Sequence, residues 1–103
     1  MPPLKVTVTR KIPEPGIHLL RREGFQLRYN DEDRALSRAE LIEAITGADG
    51  VICMLHDGID AEVLDAAPSV RVYSNFAVGF NNIDLEGCRK RGVRVTNTPG
   101  VLT

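Results

Sequence analysis

The sequence holds no glycine-rich phosphate fingerprint. Neither GxGxxG nor a P-loop occurs in its 103 residues, so the chain offers no basis for binding a dinucleotide by itself. No apolar run approaches the ~20 residues of a membrane span. The N-terminus lacks the apolar stretch of a secretory signal. An excess of one charge is missing too. Thirteen basic and fourteen acidic side chains leave a net charge of −1, which gives no field to draw in nucleic acid or an anionic membrane. The densest basic run, Arg89-Lys90-Arg91, closes an expected helix, where cations suit the helix dipole. Cysteine is scarce: Cys53 and Cys88 lie far apart, with no CxxC partner and no nearby histidine pair, so no metal site is expected. Cys53 reads as a small core residue. Thiols outside a disulfide framework fit a reducing cytoplasm, the expected location.

What is present is a regular alternation. Leu4 to Thr9 alternates apolar with polar and is rich in β-branched residues, which predicts a strand. Pro13 and Pro15 open a helix whose buried side is expected to be Ile17, Leu19 and Leu20, with Gly24 as its stop. Phe25 to Tyr29 predicts a short edge strand. Ser37 and Glu40 form a capping box ahead of Leu41, Ala44, Ile45 and Ala48 at helical spacing. Val51 to Leu55 is a continuous apolar run suited to a strand buried on both faces. Asp60 can cap a short helix carrying Val63, Leu64 and Ala67. Val70 to Tyr73 predicts a fourth strand, Ile83 to Arg91 a fourth helix ended by Gly92, and Val93 to Thr96 a fifth strand. At this length and with 43% hydrophobic residues, residues 1–103 make a single α/β domain. The expected architecture is a flavodoxin-like, doubly wound parallel five-stranded sheet in the order 2-1-3-4-5. Ligands of such sheets collect at the carboxyl ends of the strands.

One stretch at that edge can hold an anion. Ser74 to Asp84 leaves the fourth strand, turns through Gly79 and enters a helix with Asp84 and Glu86 in its first turn. Glycine there permits positive φ and close backbone approach. Successive amides in such a turn can form an anion-binding concavity, backed by the helix N-terminus. A small carboxylate or phosphate is the natural guest. The same glycine can also do no more than make the turn. His18 is expected on the exposed side of the first helix. His56, in the loop after the third strand, has no serine or cysteine nucleophile beside it and reads as a loop histidine.

The run Val78-Gly79, then Ile83-Asp84, then Arg91-Gly92-Val93, Val95 and Asn97-Thr98-Pro99-Gly100-Val101-Leu102-Thr103 resembles the D-2-hydroxyacid dehydrogenase family. Its glyoxylate/hydroxypyruvate reductase branch is the nearest match. Asn81 stands where many of its members carry Asp, and Gly87 where alanine is usual. The resemblance implies a substrate-binding domain that works with a Rossmann domain holding NAD(H) or NADP(H). In that arrangement the residues matching Val78 and Gly79 donate backbone amides to the substrate carboxylate. The position matching Leu55 lines the substrate pocket. The catalytic histidine, its carboxylate partner and the substrate-binding arginine would lie in sequence after Thr103. Read this way, the chain is the N-terminal portion of the substrate domain, with no catalytic or cofactor-binding residue of its own. It would bind a small 2-oxo or 2-hydroxy acid weakly and turn nothing over alone.

Two other readings share the expected fold. A response-regulator receiver would use Asp57 as phospho-acceptor, but Thr9-Arg10-Lys11 and Asn97-Thr98 stand where its acidic cluster and lysine belong, leaving magnesium without ligands. An FMN-binding flavodoxin needs a Ser/Thr/Gly loop where Arg10-Lys11-Ile12-Pro13 stands. A last expectation concerns self-association. With no helix after the fifth strand, part of a sheet face carrying Val6, Val8, Val51, Cys53, Val70 and Val72 would stay uncovered. A homodimer or domain-swapped pair, with the tail from Asn97 to Thr103 reorganising, would bury it.

Overall fold

A computed structural model describes residues 3–76 and 79–97. Five parallel strands, β1 (Lys5–Val8), β2 (Gln26–Tyr29), β3 (Gly50–Cys53), β4 (Val72–Asn75) and β5 (Arg94–Asn97), form one sheet in the order β2-β1-β3-β4-β5. Between them run α1 (Glu14–Arg22), α2 (Arg38–Ile45), α3 (Ala61–Ala66) and α4 (Leu85–Lys90). The expected order is the one found.

Local chemistry sets the element ends. Pro13 and Pro15 sit at the start of α1, where a missing N–H costs nothing. Gly24 ends that element at φ +87°. Ser37 Oγ accepts from the Glu40 amide and Glu40 Oε1 accepts from the Ser37 amide, completing the capping box of α2. Asp60 caps α3 through the Val63 amide. Asp84 caps α4 through the Gly87 amide and so precedes the helix rather than lying in its first turn.

Register then sorts the side chains into two cores. The rows Leu27–Val6–Gly50–Val72–Arg94 and Tyr29–Val8–Ile52–Ser74–Thr96 point to one face. There α1 packs Ile17 with Val8, Ile12 and Met54. The alternate residues Val51, Cys53 and Tyr73 point to the other face, against Leu41, Ile45, Val63, Leu64 and Cys88 of α2, α3 and α4.

Four further expectations change. Leu19 is 49% exposed; two positions on from Ile17 it is turned roughly 200° around the helix and leaves the packed side. The fourth strand starts two residues late, because Val70 and Arg71 form its approach and Asn75 continues it. The fifth shifts by one for the same reason of register. The six residues named for one uncovered face do not share a face: Val51, Cys53 and Val70 belong to the helix-covered core, and Val8 lies under α1. Pairing Val6 with Gly50 rather than Val51 moves alternate residues to opposite sides.

Candidate functional site

Four segments meet at the carboxyl edge of the sheet: Thr9-Arg10 after β1, Met54 to Gly58 after β3, Phe76 and Gly79 to Asp84 after β4, and Asn97 at the end of β5. The segment after β3 is a tight turn, with the Asp57 amide donating to Met54 O at 3.0 Å. Asp57 is 2% exposed. Its Oδ2 accepts from the Met54 amide at 2.8 Å and from Thr9 Oγ1 at 2.5 Å. The turn therefore closes on itself and is tied to β1. It presents Leu55, 55% exposed, away from the core. An aliphatic side chain held out by a locked turn is placed to touch a small ligand. Asp57 is buried and committed, so it is not an exposed acceptor.

The loop after β4 holds the second expected residue. Packing does not require glycine at 79, since a Cβ there would meet no atom within 4 Å beyond its chain neighbours. What a side chain would occupy is open space in front of the backbone. The Gly79 carbonyl accepts from Asn75 Nδ2 at 2.7 Å. Because the peptide unit is planar and trans, the Phe80 N–H points the opposite way, out of the core. Among the described residues neither the Gly79 nor the Phe80 amide has a protein acceptor. Two amides beside open space are what a carboxylate needs. Val78, the third expected residue, lies outside the described residues.

Sequence reasoning missed the side chains that fix this geometry. Asn75, fully buried, donates to Gly79 O and to Asn82 Oδ1. Asn82 Nδ2 donates to Met54 O at 3.0 Å and Asp57 O at 2.9 Å. Asparagine in a turn reads as turn chemistry, so only the meeting of the two loops shows the role. Arg10 approaches His56 Nε2 at 3.3 Å and pairs with Asp33 at 3.0 Å. His18 is on the exposed side of α1, 3.4 Å from Glu14. Burial, then the Asp57 charge, pushes the Cys53 thiol up to about 12, and burial raises Cys88 as well, so neither is a nucleophile near neutral pH. Among the described residues no group of three or more His, Cys, Asp or Glu is placed to hold a metal, and no helix is long and apolar enough to cross a membrane. A recess of about 460 Å³ among Asp65, Ser69, Arg71 and Arg91 lies at the opposite, amino-terminal edge. Its Arg91 guanidinium is already committed, bonding Asp65 and Gly87 O.

Residues 6–103 match the family model of the D-isomer specific 2-hydroxyacid dehydrogenase catalytic domain. The glyoxylate reductase of Thermococcus onnurineus is 48% identical over 99 residues, covering 96% of this chain and 29% of that protein. That of Thermofilum pendens is also 48% identical, with the same coverage. The TT0316 protein of Thermus thermophilus superposes with a TM-score of 0.90 at 42% identity, over 97% of this chain and 32% of its own. An NAD+-bound 3-phosphoglycerate dehydrogenase of Entamoeba histolytica gives 0.81 at 29% identity, over 95% and 33%. The chain thus spans about a third or less of the length of the relatives it matches.

Proposed function

The chain belongs to the D-isomer specific 2-hydroxyacid dehydrogenase family, and from that premise we propose that it seats the carboxylate of a small 2-oxo acid such as glyoxylate. Gly79, with Val78 before it, supplies backbone amides to the carboxylate, and Leu55 lies against the rest of the molecule. The parent reaction is reduction of glyoxylate or hydroxypyruvate to the 2-hydroxy acid, in which a nicotinamide cofactor supplies the hydride.

These residues do not fit that cofactor. The loop after β1 has no glycine, its Thr9 hydroxyl is tied to Asp57 and its Arg10 to Asp33. Hydride transfer therefore falls outside what the described residues do. Their part is to fix one end of the substrate. A carboxylate held by amides is oriented without moving a proton, and its carbonyl carbon is then held at a set distance from the edge of the sheet.

The observation that carries this reading is the open space at Gly79, where packing does not call for glycine. With few contacts to offset association costs, affinity is expected in the millimolar range, about −4 kcal/mol or weaker. Titration with glyoxylate, followed by amide chemical shifts, should move Gly79 and Phe80 most. Gly79→Ala gives the sharper test. With no atom within 4 Å of the added methyl group beyond its chain neighbours, the substitution should leave the protein folded. The methyl group would fill the carboxylate's place, and affinity should fall about tenfold, ~1.4 kcal/mol. Largest shifts far from residues 77–81, or undiminished binding by Gly79→Ala, would overturn the assignment.

A further inference from the structure

The two parts of the proposed seat sit on different loops, and each loop is anchored to its own strand. Leu55 lies in the turn from Met54 to Asp57, and Gly79 in the segment after β4. Two loops that move independently would present a ligand with a variable gap. The side chains between them remove that freedom. Asn82 Nδ2 grips the Leu55 turn at both ends, bonding Met54 O and Asp57 O. Asn82 Oδ1 accepts from Asn75 Nδ2 at 2.9 Å, and the same Asn75 amide group bonds Gly79 O at 2.7 Å. A continuous chain of hydrogen bonds thus runs from one side of Leu55, through two side-chain amides, to Gly79. The backbone repeats the tie: the Ile59 amide donates to Asn82 O and the Asp84 amide to Ile59 O, both at 2.8 Å. Thr9 Oγ1 on Asp57 Oδ2 extends it to the end of β1.

We infer that Asn75 and Asn82 are positioning residues, a clamp that makes the Leu55 turn and the Gly79 loop one rigid carboxylate seat. The inference rests on the proposed function for what the seat holds, but the clamp can be read without a ligand. A pair serving only to fill the core would bond within its own strands or helices. These two amide groups instead donate to the loop backbone on either side of the seat and to each other. Buried polar networks with every member satisfied fix geometry in a way apolar packing does not. Holding Gly79 O also sets the peptide plane whose far side is the Phe80 N–H, so the clamp aims a donor as well as spacing the loops.

Hydrogen exchange on the 103-residue chain tests it in two arms. In the wild-type protein the side-chain NH₂ protons of Asn75 and Asn82 should be protected. In Asn82→Asp, which keeps the shape and loses the donor, exchange at the amides of Asp57, Ile59, Ile83 and Asp84 should rise at least tenfold more than at Ile45 in α2. Asn75→Ala carries the same expectation if the first variant does not fold. Ser69→Ala, which removes a bond to Ala48 O at the other edge, is the destabilised control and should raise all these rates together. The second arm is glyoxylate titration, where both clamp variants should bind at least fivefold more weakly than Ser69→Ala. Unprotected side-chain amides, or exchange in the clamp variants that rises evenly across the chain, would overturn the clamp. A wild-type protein with protected amides but no glyoxylate shifts would sink the functional reading and leave the clamp standing.

Discussion

A Cβ placed on Gly87 would collide with the Asp84 carboxylate, standing 2.9 Å from its Cγ and 3.2 Å from an Arg91 nitrogen. Asp84 caps α4 at 3.0 Å through the Gly87 amide, and Arg91 bonds the Gly87 carbonyl at 2.9 Å. By helix propensity alone, alanine here should stabilise by about 0.5–1 kcal/mol. Losing the cap costs about 1 kcal/mol. The two effects cancel, so Gly87→Ala should bring no gain in denaturant midpoint. In an Asp84→Ala background, where the clash is gone, the same change should stabilise by about 0.5–1 kcal/mol. Equal gains in both backgrounds would show that the cap and the glycine are independent. At this scale the sequence was legible where a residue acts on its own backbone, as Ser37, Asp60 and Gly24 do. It was not legible where a residue acts on another loop. Gly79 was singled out because glycine permits positive φ and close backbone approach, and the structure shows open space beside it. Asn75 and Asn82 carried no local signal, because their partners are 4 to 28 positions away.

Among the elements, α2 ties its own N-terminus to charge. Hydrogen bonds from the Arg34 side chain and then from the Ser37 backbone hold the Glu40 carboxyl at about 2, well below the ordinary 4.5. Its folded-state value is depressed, so the stability it contributes is present above pH 4.5 and is lost as pH falls through about 2. Glutamine can keep the capping box, since its side-chain oxygen still accepts from the Ser37 amide, but it does not titrate. Glu40→Gln should therefore flatten the fall in thermal midpoint between pH 4.5 and about 2. The difference from wild type should shrink at high salt, because the Arg34 pair is exposed. An unchanged acid slope would mean that Glu40 is not among the groups that set it. Periodicity located every strand and helix among the described residues, since apolar runs of this length between turn signals have one reading in an alternating chain. It misplaced the start of β4 because Val70 and Arg71 look as strand-like as Val72 and Tyr73. Only the pairing of Gly50 with Val72 decides between them.

Across the whole molecule, the α1 face changes character from one side to the other. At β2 and β1 it is Leu27, Tyr29, Val6 and Val8; at β4 and β5 it is Val72, Ser74, Arg94 and Thr96. Thr96 Oγ1 donates to Ser74 Oγ at 3.0 Å on that surface. Among the described residues α1 is the helix on this face, and its core reaches Ile52 and Phe76 but not β5. We therefore propose that a homodimer forms through the β4–β5 half of the face. Its affinity should be low, because Val72 and the edge of Ile52 are the aliphatic groups it has to bury. About 150–250 Å² of apolar surface at ~25 cal/mol per Å² is worth about 4–6 kcal/mol. Association alone costs roughly 4–15 kcal/mol at a 1 M standard state. The balance is about −2 kcal/mol at its most favourable, which puts dissociation at roughly tens of millimolar or weaker. Sedimentation velocity at low micromolar concentration should show monomer, with dimer entering only above millimolar protein. Val72→Lys should keep the chain monomeric throughout, since a charge would replace the one aliphatic side chain at the centre of the contact. A dimer already complete at micromolar concentration, or one indifferent to Val72→Lys, would place the contact on another surface.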